Sequence, residues 1–155
     1  MRTVKALLNV LEHDAREETS AQKRRLALVE RQIEAVKSNK SVDLESALAD
    51  LERELEAQGP RDLRRLQALV ELARHWSCDA RALTLGSVSE RAGDEGRKLG
   101  SLRGELREAT SAVLRENRRL AALVRVHRRL VEEVLAGVAT GGGAGADGRL
   151  VDAEA

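Results

Sequence analysis

The sequence predicts an all-α protein, an elongated antiparallel helical bundle or coiled coil of three long helices. Leu, Ala, Arg, Glu and Lys make up 92 of the 155 residues, a share typical of long helices and coiled coils. Aromatic residues and isoleucine, which strands favour, are scarce, since Trp76 is the sole aromatic residue and Ile33 the sole isoleucine. Apolar residues also recur every three or four positions over three long stretches, which is the spacing of one helical face.

The first helix is expected over residues 2–38, a stretch without Gly or Pro. Between Ala15 and Leu26 its apolar pattern gives way to charged and polar residues. The turn-forming segment 38–41, Ser-Asn-Lys-Ser, is expected to end the helix. The apolar positions that share a face are Val4, Leu8, Leu11, Ala15, Leu26, Val29, Ile33 and Val36.

A second helix is expected over residues 43–77, with Asp43 as its N-cap. Gly59-Pro60 interrupts it, and Gly can close one helix while Pro opens the next. The sequence therefore predicts one kinked helix or two consecutive helices, and it leaves a reversal of the chain at this point open. The apolar positions of this stretch are Leu44, Leu48, Leu51, Leu55, Leu63, Leu66, Val70 and Ala73.

The last helix is expected over residues 97–138, after a loop at 79–96 with room for one short helix near 87–92. Its apolar residues keep a heptad spacing from Leu99 to Val134, as in a helix that packs along its length. The three helices would form a single domain over 2–138. The Gly-rich segment 139–155 cannot bury a core, so we expect it to be a disordered tail.

The sequence contains no catalytic or phosphate-binding motif, so we expect no enzymatic activity and no cofactor. A lone cysteine, Cys78, excludes an internal disulfide, and His75 with Cys78 makes too few ligands for a metal site. Without a signal peptide or an apolar run of about 18 residues, the chain is expected in the cytoplasm and outside the membrane. The formal net charge of +1 argues against nucleic-acid binding.

Two stretches carry opposite charge. Residues 43–56 hold six acids against Arg53, and residues 115–129 hold six arginines against Glu116. The two stretches could attract each other within the bundle, or the arginines could meet an acidic partner, a nucleic acid or a lipid surface. Elsewhere, interleaved Glu and Arg are typical of a solvated helix face.

The end of the last helix has more apolar residues than one packing stripe requires. Such a surplus leaves room for a partner helix, so this stretch is the candidate binding site. Asn117 and His127 interrupt the stripe and are interpreted as residues that set its register or lie at its margin. The candidate partner-binding residues are Asn117, Leu120, Leu123, Val124, His127, Leu130, Val131, Val134, Leu135 and Val138.

Several short stretches resemble the FlgN family of flagellar type III export chaperones. The family opens with a Leu-Leu-x-x-Leu helix, has a Glu-rich second helix that becomes Arg-bearing, and ends with an Asn-x-x-Leu helix and a loose Gly-rich tail. Gly59-Pro60 and the missing aromatics depart from this pattern. The matching stretches are 7–12, 26–36, 43–45, 52–65, Thr84-Leu85, 117–120, 130–135 and 147–149.

The resemblance implies a cytoplasmic chaperone that binds the helical C-terminal ends of hook-associated (hook-filament junction) proteins and delivers them to the export apparatus. The family binds its cargo through the C-terminal amphipathic region, which corresponds to residues 120–138 here. Such a chaperone would be a monomer or a weak homodimer. The alternative is a structural coiled-coil protein that dimerises through the same apolar stripe.

Overall fold

The computed structural model of the chain describes residues 1–141. Within this range the protein is all-α, as the sequence predicts, and it has no strand. The chain divides into two units, Met1–Leu120 and a second that begins at Ala121, and a single helical domain over 2–138 stays a prediction. The helices are α1 (Val4–Lys37), α2 (Ser41–Glu56), α3 (Gln58–His75), α4 (Leu85–Ala92) and α5 (Arg97–Gly141).

Helix α1 begins and ends with local hydrogen bonds that its sequence supplies. The Thr3 hydroxyl accepts a hydrogen bond from the Ala6 backbone N–H, which satisfies one of the free donors at the helix start. At the other end Asn39 adopts a positive φ of 52°, and the Lys40 N–H donates to the Ala35 carbonyl. This arrangement is a Schellman motif, in which a left-handed residue turns the chain out of the helix.

Helix α2 begins at Ser41, so the prediction that Asp43 is its N-cap is wrong. Lys40 occupies the cap position and makes no side-chain capping bond. Because of the compact turn at Asn39, the helix begins two residues before the predicted start at residue 43. Asp43 lies in the first turn instead, where a negative charge still interacts favourably with the helix dipole.

The chain continues in one direction through Gly59-Pro60, so the interruption is a kink and not a reversal. Helix α3 begins at Gln58, with only Ala57 between it and the end of α2, and Pro60 lies in its first turn, where no intrahelical donor is needed. Both helices run antiparallel to α1, because their ion-pair partners in α1 descend in number as the chain advances. These pairs are Asp50–Arg31, Glu54–Arg24, Arg61–Glu18 and Arg65–Asp14, and the series continues with Glu71–Arg2 just before the start of α1.

The predicted loop at 79–96 is mostly helical. Helix α4 begins at Leu85, two residues before the expected short helix, because Thr84 and Ser87 form a reciprocal capping box. A 3₁₀ turn at Gly93–Gly96 connects α4 to α5. Gly96 fits there because a Cβ at this position would lie 2.4 Å from the Ser89 carbonyl oxygen.

The main apolar core of the first unit lies where α1, α3, α4 and the start of α5 meet. Trp76 and Leu69 pack against its edge. Helix α5 continues through Gly137 to Gly141, three residues beyond its predicted end, since a single Gly weakens a helix by only about 1 kcal/mol. The rest of the predicted tail lies outside the described residues. The core consists of Leu7, Leu8, Leu11, Ala15, Ala68, Leu72, Val88, Leu99 and Leu102.

Candidate partner-binding surface

All ten candidate binding residues lie in α5, and the boundary between the units divides them. Asn117 and Leu120 belong to the first unit, where Asn117 is exposed and Leu120 is half-buried. The other eight belong to the second unit. Among these, Leu123 is half-buried and the rest are exposed.

The second unit carries a continuous apolar helix face over residues 124–138, named here the C-terminal apolar face. At about 100° per residue its members fall within an arc of about 140°. Their exposed fractions range from 44% for Val131 to 67% for Val138. Val126, also 67% exposed, lies outside this arc. The members are Val124, Leu130, Val131, Val134, Leu135 and Val138, with His127 between them.

The arginines of α5 lie on the side opposite to the C-terminal apolar face or at its margin. Two of them form ion pairs within the helix, Arg119 with Glu116 at 3.3 Å and Arg128 with Glu132 at 2.8 Å. Arg125 donates a hydrogen bond to the Ala121 carbonyl. The acids of α2 that form ion pairs do so with arginines of α1 and α3 or, for Asp50, also with Arg53 of α2. The predicted attraction between the acidic and basic stretches therefore does not account for these pairs.

His75 and His13 lie near polar groups of the first unit, and Cys78 follows the end of α3. The His75 ring Nε2 lies 2.7 Å from the Arg2 carbonyl oxygen, and His13 lies 3.7 Å from the Glu17 carboxylate. Cys78 is half-buried, and its N–H donates to the Ala73 carbonyl at the end of α3. Within residues 1–141, no three His, Cys, Asp or Glu side chains come together as metal ligands would.

A layer of buried charges between α1 and the α2–α3 kink was not predicted. Glu18 lies at its centre, 3.3 Å from Arg61 and 3.6 Å from Arg25. Gln22 also donates a hydrogen bond to Glu18, and Gln58 accepts one from Arg25. The expectation that interleaved Glu and Arg form a solvated face is wrong for this layer, because both arginines and Glu18 are less than a tenth exposed.

The sequence did contain a signal for the layer. The apolar pattern of α1 fails between Ala15 and Leu26, and that of the second stretch fails between Leu55 and Leu63. In an antiparallel pair of helices these two gaps lie opposite each other. Matched polar gaps in two paired stripes therefore indicate a buried polar layer, although neither gap alone does.

None of the described helices combines the length and the apolar character that crossing a bilayer requires. Comparison with protein-family models, curated proteins and solved structures finds no match for this chain. What supports a function is therefore the geometry of the second unit, together with the resemblance noted in the sequence.

Proposed function

We propose that this protein is a non-enzymatic helical chaperone of the FlgN type. It would act in the cytoplasm, bind the helical C-terminal ends of hook-filament junction proteins and deliver them to the flagellar export apparatus. The observation that carries the proposal is the C-terminal apolar face, where large aliphatic side chains at helical spacing all face solvent.

The exposure of six Val and Leu side chains on one helix face indicates a binding role. Single apolar residues on a protein surface are ordinary, but a contiguous patch marks an interaction site. A helical stripe of Leu and Val fits a partner helix or a helical groove, with side chains at every third or fourth residue as anchors. The chemistry of the face therefore favours a helical cargo.

The composition of the face also fits release of the cargo. Tight interfaces draw much of their energy from buried Trp, Tyr and Arg anchors, whereas this face holds Val, Leu and one histidine. Burying one such aliphatic side chain stabilises a complex by about 1.5–3 kcal/mol. A partner held by a few of these contacts can be handed on without a large barrier to dissociation.

The same face supports a second candidate, a structural coiled-coil protein that dimerises through α5. The heptad spacing from Leu99 to Val134 favours this alternative. The two candidates differ in oligomeric state. Light scattering of a chaperone would give a monomer that gains one cargo chain on mixing, and light scattering of a scaffold would give a dimer that ignores the cargo.

The decisive experiment is binding of a purified hook-filament junction protein to the full chain and to two variants. Val131→Asp with Leu135→Asp places charges on the C-terminal apolar face and should weaken binding at least about tenfold. Val126→Asp is the control, because Val126 is more exposed than Val131 and Leu135 but lies outside the face, and its binding should stay at the wild-type level.

Unchanged binding in the double variant would show that the cargo does not use this face. Absence of cargo binding in the wild-type chain, together with a concentration-independent dimer, would replace the chaperone by the scaffold.

A further inference from the structure

Helix α2 carries a second uncovered apolar surface, in the first unit and independent of the function proposed above. Its leucines are spaced four, three and four residues apart, which is the seam spacing of a coiled coil. Leu48 and Leu55 are 44% and 50% exposed, and the other two are half-buried. We name this surface the α2 seam, and it consists of Leu44, Leu48, Leu51 and Leu55.

The acids of α2 divide between the two sides of this seam. On the side that faces α1, Asp50 and Glu54 are paired with Arg31 and Arg24 at 2.8 and 2.9 Å. On the other side lies a row of exposed carboxylates at positions 45, 52 and 56. None of the three has an ion pair or hydrogen bond within the described residues. They are Glu45, Glu52 and Glu56.

This arrangement, an apolar seam with charged residues beside it, is what one helix contributes to a coiled-coil interface. In a coiled coil the residues beside the seam are charged, and they choose a partner by pairing with opposite charges on its helix. An acidic flank repels a second acidic helix and attracts a basic one. Glu45 and Glu52 occupy such flanking positions, seven residues apart on the same side of the seam.

We infer that the α2 seam is a docking site for a basic amphipathic helix, one with a Leu or Val stripe bordered by Lys or Arg. The stripe would cover Leu48 and Leu55, and the cations would pair with Glu45 and Glu52. The occupant that we infer is a helical segment of another protein, selected by its charge, and a second copy of this chain is the alternative that the test below distinguishes.

Helix α3 provides a contrast within the same unit. Leu63 and Leu66 are 56% and 57% exposed, slightly more than the leucines of the α2 seam. The two acids of α3 are already paired, Asp62 with Arg65 and Glu71 with Arg2. Exposed leucines without free carboxylates beside them offer no basis for charge selection.

The test uses the full chain and two synthetic three-heptad peptides with leucine seams. The peptides differ only in their flanks, Lys in one and Glu in the other, and binding is measured by fluorescence anisotropy. The Lys-flanked peptide should bind with one-to-one saturation, and the Glu-flanked peptide at least about tenfold more weakly.

Three variants locate the site. Leu48→Ser with Leu55→Ser should reduce binding of the Lys-flanked peptide at least about tenfold. Glu45→Gln with Glu52→Gln should reduce it several-fold and lower its salt dependence. Leu63→Ser with Leu66→Ser is the matched control and should bind as the wild type does.

The inference fails if the two peptides bind equally, or if the control variant weakens binding as much as the α2 variant. It also fails if the chain alone is a dimer that Leu48→Ser with Leu55→Ser converts to a monomer, because the occupant is then a second copy. These experiments do not measure cargo binding by the C-terminal apolar face, so failure of one proposal can be distinguished from failure of the other.

Discussion

The buried carboxylate of Glu18 shows how single residues define the packing of the first unit. It accepts hydrogen bonds from Arg61 and Gln22 and lies 3.6 Å from the Arg25 guanidinium, almost entirely out of solvent. Buried ion pairs add little net stability over apolar residues of the same size, but losing one partner leaves an uncompensated charge. We therefore expect the layer to fix the register of α1 against the kink more than to add net stability.

Arg61→Met tests this role, because it leaves the Glu18 charge buried with fewer partners. We expect the variant to lose about 3–5 kcal/mol of unfolding free energy, measured by urea denaturation. Arg97→Met removes a cation from an ion pair whose two members are both exposed, so it should cost at most about 1 kcal/mol. Equal effects of the two substitutions would contradict a special role for the buried layer.

Glu54 makes the stability of the first unit depend on pH. Hydrogen bonds from Arg24 hold the pKa of this carboxyl below its ordinary value of 4.5. A carboxylate with a lowered folded pKa adds stability above its unfolded pKa, and this stability is lost as the pH falls through the folded pKa. Glu54→Gln should therefore lower Tm at pH 7, and the difference from the wild type should shrink as the pH falls below 4.5.

Asp14 provides the opposite case for the same thermal measurements. Burial raises the pKa of its carboxyl above the ordinary value, so protonation of Asp14 favours the folded state. Asp14→Asn, which removes the charge, should therefore raise Tm at pH 7, whereas Glu54→Gln lowers it. The gain in Tm should shrink as the pH falls and the wild-type carboxyl becomes protonated. A lower Tm at pH 7 would show that the ion pair with Arg65 outweighs burial.

At the scale of elements, the corner between α4 and α5 depends on close contact between backbones. The Ser89 hydroxyl donates to the Gly96 carbonyl at 2.8 Å, and the space beside Gly96 admits no side chain. Gly96→Ala should lower the unfolding free energy by about 1–3 kcal/mol. Gly104→Ala, in a helix interior with nothing within 4 Å, should raise it by about 1 kcal/mol, and thermal unfolding distinguishes the two.

The helices could be predicted from the sequence, but their ends and one junction could not. Apolar spacing located α1 and the stretch that became α2 and α3, because a helical face must be buried wherever it repeats. The start of α2 at Ser41 depends on the left-handed turn at Asn39, which residue preferences alone do not determine. The direction of the chain past Gly59-Pro60 depends on contacts between α1 and α3, which are distant in sequence.

At the scale of the whole molecule, apolar residues have two different roles. In the first unit Leu11 and Leu72 are completely buried, whereas Val131 and Leu135 of the second unit are 44% and 63% exposed. Leu72→Ala should thus lower the unfolding free energy of the first unit by about 2–5 kcal/mol. Val131→Asp with Leu135→Asp should leave the thermal midpoint of that unit unchanged, as measured by its Trp76 fluorescence.

Part of the candidate surface could be located from the sequence by its apolar residues, while its use as a binding site stays a prediction. The surplus of apolar residues near the end of α5 indicated that one stripe could not all be core, and residues 124–138 are exposed. The half-burial of Leu120 and Leu123 could not be predicted, because the apolar pattern does not distinguish these two residues from the exposed members of the same stripe. The identity of a partner depends on complementary residues that this chain does not contain.

The fluorescence of Trp76 reports on the first unit alone. The chain has no other aromatic residue, and this indole packs at the edge of the apolar core with the Arg91 guanidinium 5.3 Å from its ring centroid. Its emission therefore records the environment of one corner of the first unit, while circular dichroism records every helix. Any gap between the two unfolding curves measures how independently residues 121–141 lose their helix, without a label or a truncated chain.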